Sequence, residues 1–157
     1  MNRGLIEEEL ARSREIIAGG AELVPRFRIS AADGETLIFA QLPDDADERA
    51  WRMQLVSFYM TVHLAQWFIM ASELQEPDAS SAVAVSRQGC EAGLQIITRS
   101  PLSFGETTWL DAGQIGYELP AMLPRKVETV TPEQIADVDR LIAHNEGLRV
   151  LKMGSAQ

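Results

Sequence analysis

The sequence predicts an α+β domain in which an antiparallel sheet of about five strands packs on one long apolar helix, with further helices at the N- and C-terminal ends. Short runs in which apolar and polar residues alternate indicate strands. A stretch that follows Asp44 is apolar on almost every side when drawn as a helix. Residues 5–17 and 131–146 have helical spacing of their apolar positions and clear end signals.

The bulk properties indicate one ordinary globular unit. A chain of 157 residues is long enough to bury a core without help from disulfides or metals. Hydrophobic residues make up 46% of it and charged residues 24%, which are typical globular values. We therefore expect a single domain over residues 1–157, with its core at residues 23–99.

The charge argues against nucleic acid as a partner. Fourteen basic and 23 acidic residues give a net charge of −9, and an acidic domain repels phosphate backbones. The only basic alternation is Arg26 and Arg28 on one predicted strand face. We expect no nucleic-acid binding.

The compartment is predicted from cysteine usage and hydropathy. The single cysteine, Cys90, cannot form an intrachain disulfide, which favours a reducing compartment. Met1–Ala11 has no apolar core and does not resemble a signal peptide. Val62–Leu74 is the longest apolar neighbourhood, and it is too short and too polar to cross a bilayer. We expect a cytoplasmic protein without membrane contact.

The first elements are a helix and a hairpin. Residues 5–17 predict an amphipathic helix that ends at Gly19 and Gly20. Residues 23–42 predict a hairpin around an Asp33-Gly34 turn. In its first strand one set of side chains should face a core and the other set water. The core set is Phe27, Ile29 and Ala31, and the water set is Arg26, Arg28 and Ser30.

The central helix is predicted at Asp45–His63. The acidic residues at its start, Asp44, Asp45, Asp47 and Glu48, are explained by capping and by the helix dipole, although they could also hold a metal. Its polar stripe, which consists of Gln54, Ser57 and Thr61, is thin and uncharged, so the helix should be buried on two sides. One sheet covers one side, and a second subunit is the simplest cover for the other. The predicted homodimer interface consists of Trp51, Leu55, Val56, Tyr59 and Met60.

Strands dominate the next segment. Residues 66–72 either prolong the helix or form a strand, and the length of a continuous helix favours the strand. Residues 81–88 and 94–99 predict a second hairpin, with a loop from Gly89 to Gly93 that carries Cys90.

The last third of the chain is less regular. Residues 101–124 predict loop with short strands near 107–110 and 117–119. The final helix starts at Thr131, which forms a capping box with Gln134. After it, residues 148–153 alternate only weakly.

No motif for catalysis, metal or cofactor binding is present. The two histidines, His63 and His144, lie far from each other and from Cys90, so no zinc spacing exists. No activating base is adjacent to Cys90 in the sequence, and its acidic neighbour Glu91 would raise the pKa of the thiol. We expect no cofactor and no metal.

Glu73 is the one candidate catalytic residue. It directly follows an apolar run at the predicted end of a strand, where a carboxylate can act as an acid or base or bind a cation. It can equally pair with a nearby arginine such as Arg87 or Arg99.

The order of hairpin, acidic turn, apolar helix and strand resembles a loose group of small uncharacterised proteins of proteobacteria and their phages. Asp33-Gly34, the Trp67–Glu73 segment, Glu76-Pro77-Asp78 and residues 82–98 carry the resemblance. It covers roughly residues 25–99, and it departs from the group at Leu74-Gln75. The resemblance implies a fold and a phage or mobile-element setting, and no activity.

The function expected from the sequence is therefore a non-enzymatic protein-interaction or structural module that forms a homodimer. The alternative is a small-molecule-binding protein or small hydrolase, with a pocket between sheet and helix near Glu73. A third interpretation is a phage-type factor that binds a host protein through its acidic surface.

Overall fold

The computed structural model describes residues 3–115, 118–124 and 129–153. Within these residues the chain forms four α-helices, one 3₁₀ turn and eight strands. In chain order they are α1 (Arg3–Ala18), β1 (Arg26–Ala31), β2 (Gly34–Ala40), α2 (Ala46–Val62), β3 (Trp67–Gln75), β4 (Asp78–Ser86), β5 (Gly89–Arg99), β6 (Leu102–Phe104), β7 (Thr108–Leu110), α3 (Ala112–Ile115), the 3₁₀ turn (Pro120–Met122), α4 (Pro132–Ala143) and β8 (Leu148–Lys152).

The strands form one antiparallel sheet in the order β6-β5-β4-β3-β1-β2-β8, and β7 pairs with β5 next to β6. The chain crosses from β2 through α2 to β3, which places β3 beside β1. The last strand, β8, returns to pair with β2. The α+β class with an antiparallel sheet is confirmed, but the sheet has eight strands where about five were expected.

One face of the sheet carries the larger core. Helix α2 packs over it together with α4 and the 3₁₀ turn. Leu55, Val56 and Met60 of α2 are fully buried there. Phe27 and Phe68 come up from β1 and β3 with their rings 6.0 Å apart. Fully burying such a side chain contributes about 1.5–3 kcal/mol.

The opposite face is covered by α1, which contacts β3, β4 and β5. Ile6 and Leu10 of α1 pack there against Ile69, Ala82 and Ala84. This helix corrects the sequence-based expectation for the first hairpin: the face with Arg26 does not lie in water. Arg26 has 1% of its side chain exposed, because α1 lies on top of it.

Several local predictions are confirmed. The segment predicted at residues 66–72 is a strand: all of it except residue 66 lies in β3. Thr131 accepts a hydrogen bond from the Gln134 N–H, and the Gln134 side chain accepts one from the Thr131 N–H, as a capping box requires.

Two local predictions are wrong, a loop at residues 89–93 and a strand at residues 117–119. Residues 89–93 are not a loop: they continue the ladder, with Ser86 opposite Gly89 and Ala82 opposite Gly93. The turn consists of residues 87 and 88. Gly89 follows them with a φ of +147°, a value that only glycine adopts easily. Of the strand expected at residues 117–119, residue 117 lies outside the described residues, and residues 118–119 form a turn.

Candidate functional site

Glu73, the predicted acid or base, is held in a surface ion pair. Its Oε2 accepts a hydrogen bond from Arg99 at 3.0 Å, and Arg99 also donates to both carboxylate oxygens of Asp78 at 2.8 and 3.0 Å. The hydrogen bond from Arg99 lowers the pKa of Asp78. Glu73 therefore serves the structural role that the sequence left open, pairing with Arg99. It lies near the C-terminal end of β3, and it does not line the cleft between α4 and β8.

The predicted interface residues on α2 lie mostly inside the chain. Leu55, Val56, Tyr59 and Met60 have 2% or less of their surface exposed, whereas Trp51 has 41%. The sheet covers one side of α2, and α4 and the 3₁₀ turn cover another. Ser57 of the polar stripe donates to the Met122 carbonyl at 2.8 Å. A second subunit is thus not needed to bury this helix.

A polar cluster lies where α2 ends. His63 Nε2 is 2.8 Å from Asp139 Oδ1 of α4, and the His63 ring stacks on Tyr59 with centroids 4.1 Å apart. The Tyr59 hydroxyl donates to Thr36 Oγ1 at 3.1 Å, and burial raises the pKa of Tyr59. These contacts join α2, α4 and β2.

A cleft of about 320 Å³ opens beside this cluster, between α4 and β8. Lys152 at its rim donates to Asp33 Oδ2 at 2.9 Å. This hydrogen bond lowers the pKa of Asp33 and raises that of Lys152. The cluster and the cleft contain no serine, threonine or cysteine paired with His63, so they lack the nucleophile–base arrangement of a hydrolase.

The remaining titratable candidates carry no site. Across residues 3–115, 118–124 and 129–153, no three His, Cys, Asp or Glu side chains come close enough to hold a metal ion. Burial and the nearby Asp111 carboxylate raise the pKa of the Cys90 thiol, which disfavours its reactive form. Among the described helices, none is long and apolar enough to cross a membrane.

The end of the sheet at β8 is different, because its outer edge is open. The Met153 N–H donates to the Glu35 carbonyl at 2.9 Å, and the Gln41 N–H donates to the Gly147 carbonyl at 2.8 Å. In an antiparallel ladder, bonded residue pairs alternate with non-bonded ones. The odd-numbered residues from 147 to 153 therefore direct their backbone groups toward β2.

The even-numbered residues of β8 direct theirs outward. No hydrogen bond within the described residues satisfies the N–H groups of Val150 and Lys152, because β8 is the last strand of the sheet. Val150 and Leu151 are 36% and 49% exposed. An open edge that also exposes large apolar side chains is a template for pairing with another strand.

The other edge of the sheet is less suited to pairing. It consists of β6 and β7, which are three residues long each and pair with different parts of β5. Very short edge strands are a usual protection against pairing. Of the two edges, β8 offers the longer continuous row of free backbone groups.

The face of β8 opposite the cleft lies away from the main contacts of α1, which are with β3, β4 and β5. Arg149 lies over the Phe39 ring of β2, with its guanidinium carbon 4.7 Å from the ring centroid. Leu151 lies on the same face of β8 as Arg149 and is 49% exposed, whereas Leu37, its partner in the ladder, is buried. The open edge therefore continues into an apolar surface on the sheet.

Residues 3–115, 118–124 and 129–153 form a small α+β domain in which the edge at β8 pairs with no other described strand. No protein-family model matches the chain, and neither a curated protein nor a solved structure matches it.

Sequence reasoning missed this edge. The signal was present in residues 148–152, where Leu, Val and Leu are interspersed with Arg and Lys. Five residues of weak alternation predict a strand poorly, and nothing local shows which strand is last in a sheet.

Proposed function

We propose that this chain is a non-enzymatic protein-interaction module that self-associates by pairing β8 of one copy with β8 of another. The open edge of β8, with Val150 and Leu151 exposed on it, is the observation that carries the proposal. The contact that we propose is therefore at β8, and not on α2 where the sequence predicted it.

The register of β8 suits antiparallel pairing with itself. A two-fold axis at Val150 places Val150 opposite its own copy and Leu148 opposite Lys152 of the second copy. Arg149 then lies opposite Leu151 of the second copy. In this register no two like charges lie directly opposite each other. Such pairs would destabilise the contact.

The backbone groups also match. Outward N–H and C=O groups at Val150, with the Lys152 N–H and the Leu148 carbonyl, can form about four hydrogen bonds across the axis. The Leu148 N–H already donates to the Asn145 carbonyl at 3.2 Å, so it is not needed. Each such bond contributes about 0.5–1.5 kcal/mol net.

The exposed side chains of β8 would also contact each other across the proposed pair. In the paired sheet, Leu151 gains the aliphatic stem of Arg149 from the second copy, and Arg149 keeps its contact with Phe39. The apolar surfaces of the two copies become continuous on that face.

The test is the mass of the protein in solution, measured by light scattering coupled to size exclusion at micromolar concentration. The wild type should be a dimer, and Val150→Pro should be a monomer. Proline removes the outward N–H of Val150, which makes no bond to β2, so the fold should survive with a nearly unchanged thermal midpoint.

Leu102→Ser is the matched control. Leu102 is a 40% exposed apolar residue on β6, at the opposite edge, and its loss should leave the dimer intact. A wild-type monomer would overturn self-association. A Val150→Pro protein that is folded and still dimeric would overturn the assignment to β8.

A further inference from the structure

The cleft between α4 and β8 has an apolar wall on each of these elements. Ile142 and Ala143 line it from α4, and Leu148 and Val150 line it from β8. Ile142 and Leu148 belong to the larger core, whereas Val150 is 36% exposed. The volume of the cleft is about 320 Å³, at the low end of the range of about 300–1,000 Å³ for small-molecule pockets. A cleft of this size suits a small molecule with a short apolar body.

An ammonium group lies at one side of this cleft. Lys152 is directly opposite Thr36 in the ladder, and residues opposite each other share a face of the sheet. Thr36 accepts a hydrogen bond from the Tyr59 hydroxyl, so the Lys152 side chain lies on the same side of the sheet as α2 and α4. It donates to Asp33, and 58% of it is exposed. An ammonium group has three donors, so the bond to Asp33 is compatible with further bonds to a ligand carboxylate.

A carboxylate lies at the other side of the cleft. Asp139 of α4 lines it with 47% of its side chain exposed. Its Oδ1 is 2.8 Å from His63 Nε2, and within the described residues its Oδ2 makes no hydrogen bond. A neutral imidazole can make this contact, which leaves the negative charge of the carboxylate in place. Asp139 can therefore accept a hydrogen bond from a cationic group of a ligand.

These two groups supply the charges of the cleft. Arg149 also lines it, but its guanidinium group lies over the Phe39 ring, on the opposite face of the sheet. An apolar ligand would take Asp139 and Lys152 out of water without replacing their hydrogen bonds, which is unfavourable. A ligand with one charge would pair with only one of them. The ligand that matches both groups carries an ammonium group and a carboxylate.

We infer that the cleft between α4 and β8 is a binding site for a small zwitterion with an apolar body, of the class of the aliphatic α-amino acids. The ligand ammonium group donates to Asp139, and Lys152 donates to the ligand carboxylate. The apolar body lies against Ile142 and Val150. The cleft is on a face of β8 and is formed within one chain, so the inference does not depend on pairing at the β8 edge.

The test ligand is L-leucine, and two compounds with the same carbon skeleton are its controls. 3-Methylbutylamine lacks the carboxylate, and 4-methylpentanoate lacks the ammonium group. Each is titrated into the ¹⁵N-labelled full chain at neutral pH, and the amide shifts of Ala143, Leu148 and Val150 are followed by NMR. Leucine should bind with a dissociation constant of about 1 mM or below. Each control should bind at least about tenfold more weakly, because one hydrogen bond to a charged group is lost.

Two variants assign the charges. Asp139→Asn and Lys152→Met should each weaken leucine binding at least about tenfold. Asp139→Asn should not weaken binding of 4-methylpentanoate, and Lys152→Met should not weaken binding of 3-methylbutylamine, because these compounds lack the group that the lost charge would bind. Glu73→Gln is the matched control, since it removes a surface carboxylate from a different ion pair, and it should leave leucine binding unchanged. If a variant does not fold, the three ligands on the wild-type chain decide.

Absence of shifts at the cleft residues at about 10 mM leucine would overturn the inference. Equal affinity of the wild type for leucine and for either control compound would overturn it too, as would unchanged leucine affinity in either folded variant. The shifts report on the cleft, whereas the mass of Val150→Pro reports on β8, so the two proposals fail separately.

Discussion

The buried ion pair under α1 gives the sharpest stability prediction. Glu9→Gln keeps the size of the side chain and its ability to accept a hydrogen bond from Arg26, but it removes the charge. Arg26 would then remain charged with 1% of its side chain exposed. Burial already lowers the pKa of Arg26, and the Glu9 carboxylate acts in the opposite direction.

The expected cost is large. Removing one partner of a buried pair destabilises by about 3–5 kcal/mol, because the other charge is left uncompensated. Whole domains have only about 5–15 kcal/mol of stability. For a chain of this size, about 2–4 °C is lost per kcal/mol, so the thermal midpoint should fall by roughly 6–20 °C.

A double variant separates the charge from the packing. Glu9→Leu with Arg26→Met replaces both charges by apolar groups of similar volume, and such replacements are often neutral or stabilising. We expect its free energy of unfolding to lie within about 1–2 kcal/mol of the wild type, or above it.

Urea unfolding should be followed by two signals. Far-UV circular dichroism reports on the whole fold, and tryptophan fluorescence reports on Trp67 and Trp109, which pack beside α1, together with Trp51 of α2. A loss below about 1 kcal/mol in Glu9→Gln would refute the reasoning, since no buried charge could then be uncompensated. A double variant as unstable as Glu9→Gln would refute it too, because packing and not charge would then be responsible.

Three further variants have defined outcomes. Gly93→Ala should destabilise by about 1–3 kcal/mol in urea unfolding, because its Cβ meets Ile6, while Gly4→Ala, with nothing within 4 Å, should not. Thr131→Ala should cost about 0.5–2 kcal/mol in the same assay through loss of the N-cap, and an unchanged midpoint would show that α4 does not depend on it. In Lys152→Met, NMR titration should show the pKa of Asp33 rising from its lowered value toward the ordinary one. Because the pKa of Asp33 is lowered in the folded protein, the pair stabilises the fold at pH values above the pKa of Asp33 in the unfolded chain, about 3.9. This stabilisation is lost as the pH falls through the pKa of Asp33 in the folded protein. The variant should therefore be less stable than the wild type at neutral pH, and the difference should shrink in acid.

The parts of the fold that sequence predicts are those with local causes. The capping box at Thr131 needs only residues within one turn, and its geometry is as expected. The period-two pattern of β1 shows that Phe27 and Ile29 face a core, and both are fully buried. The same pattern cannot show what lies on the other side.

The failures share one physical reason, which is that they depend on contacts between distant segments. The local pattern predicts that Arg26 faces solvent. It is buried because α1 lies over it, with Glu9 seventeen positions earlier in the chain. Leu148–Lys152 becomes an edge strand only because β2 has a free side. The ion pair of Glu73 with Arg99, 26 residues further on, is likewise a contact that the local sequence does not show.

The proposed site of self-association differs from the site predicted from the sequence for a similar reason. A helix that is apolar nearly all round must be covered, but its sequence does not show by what. Here α4 and the 3₁₀ turn, both from the last third of the chain, share the cover of α2 with the sheet. The predicted interface around Leu55 and Tyr59 thus describes a core.

An open sheet presents two faces and two edges, and each must be covered or protected. In this chain α2 and α4 cover one face, and α1 covers the β3–β5 part of the other. The short strands β6 and β7 protect one edge. Within the described residues, the outer edge of β8 stays unpaired, and Leu151 is exposed on the face beside it. The proposed pairing of two β8 strands would cover both at once, whereas four of the five α2 residues predicted as an interface, all except Trp51, are already buried within the chain.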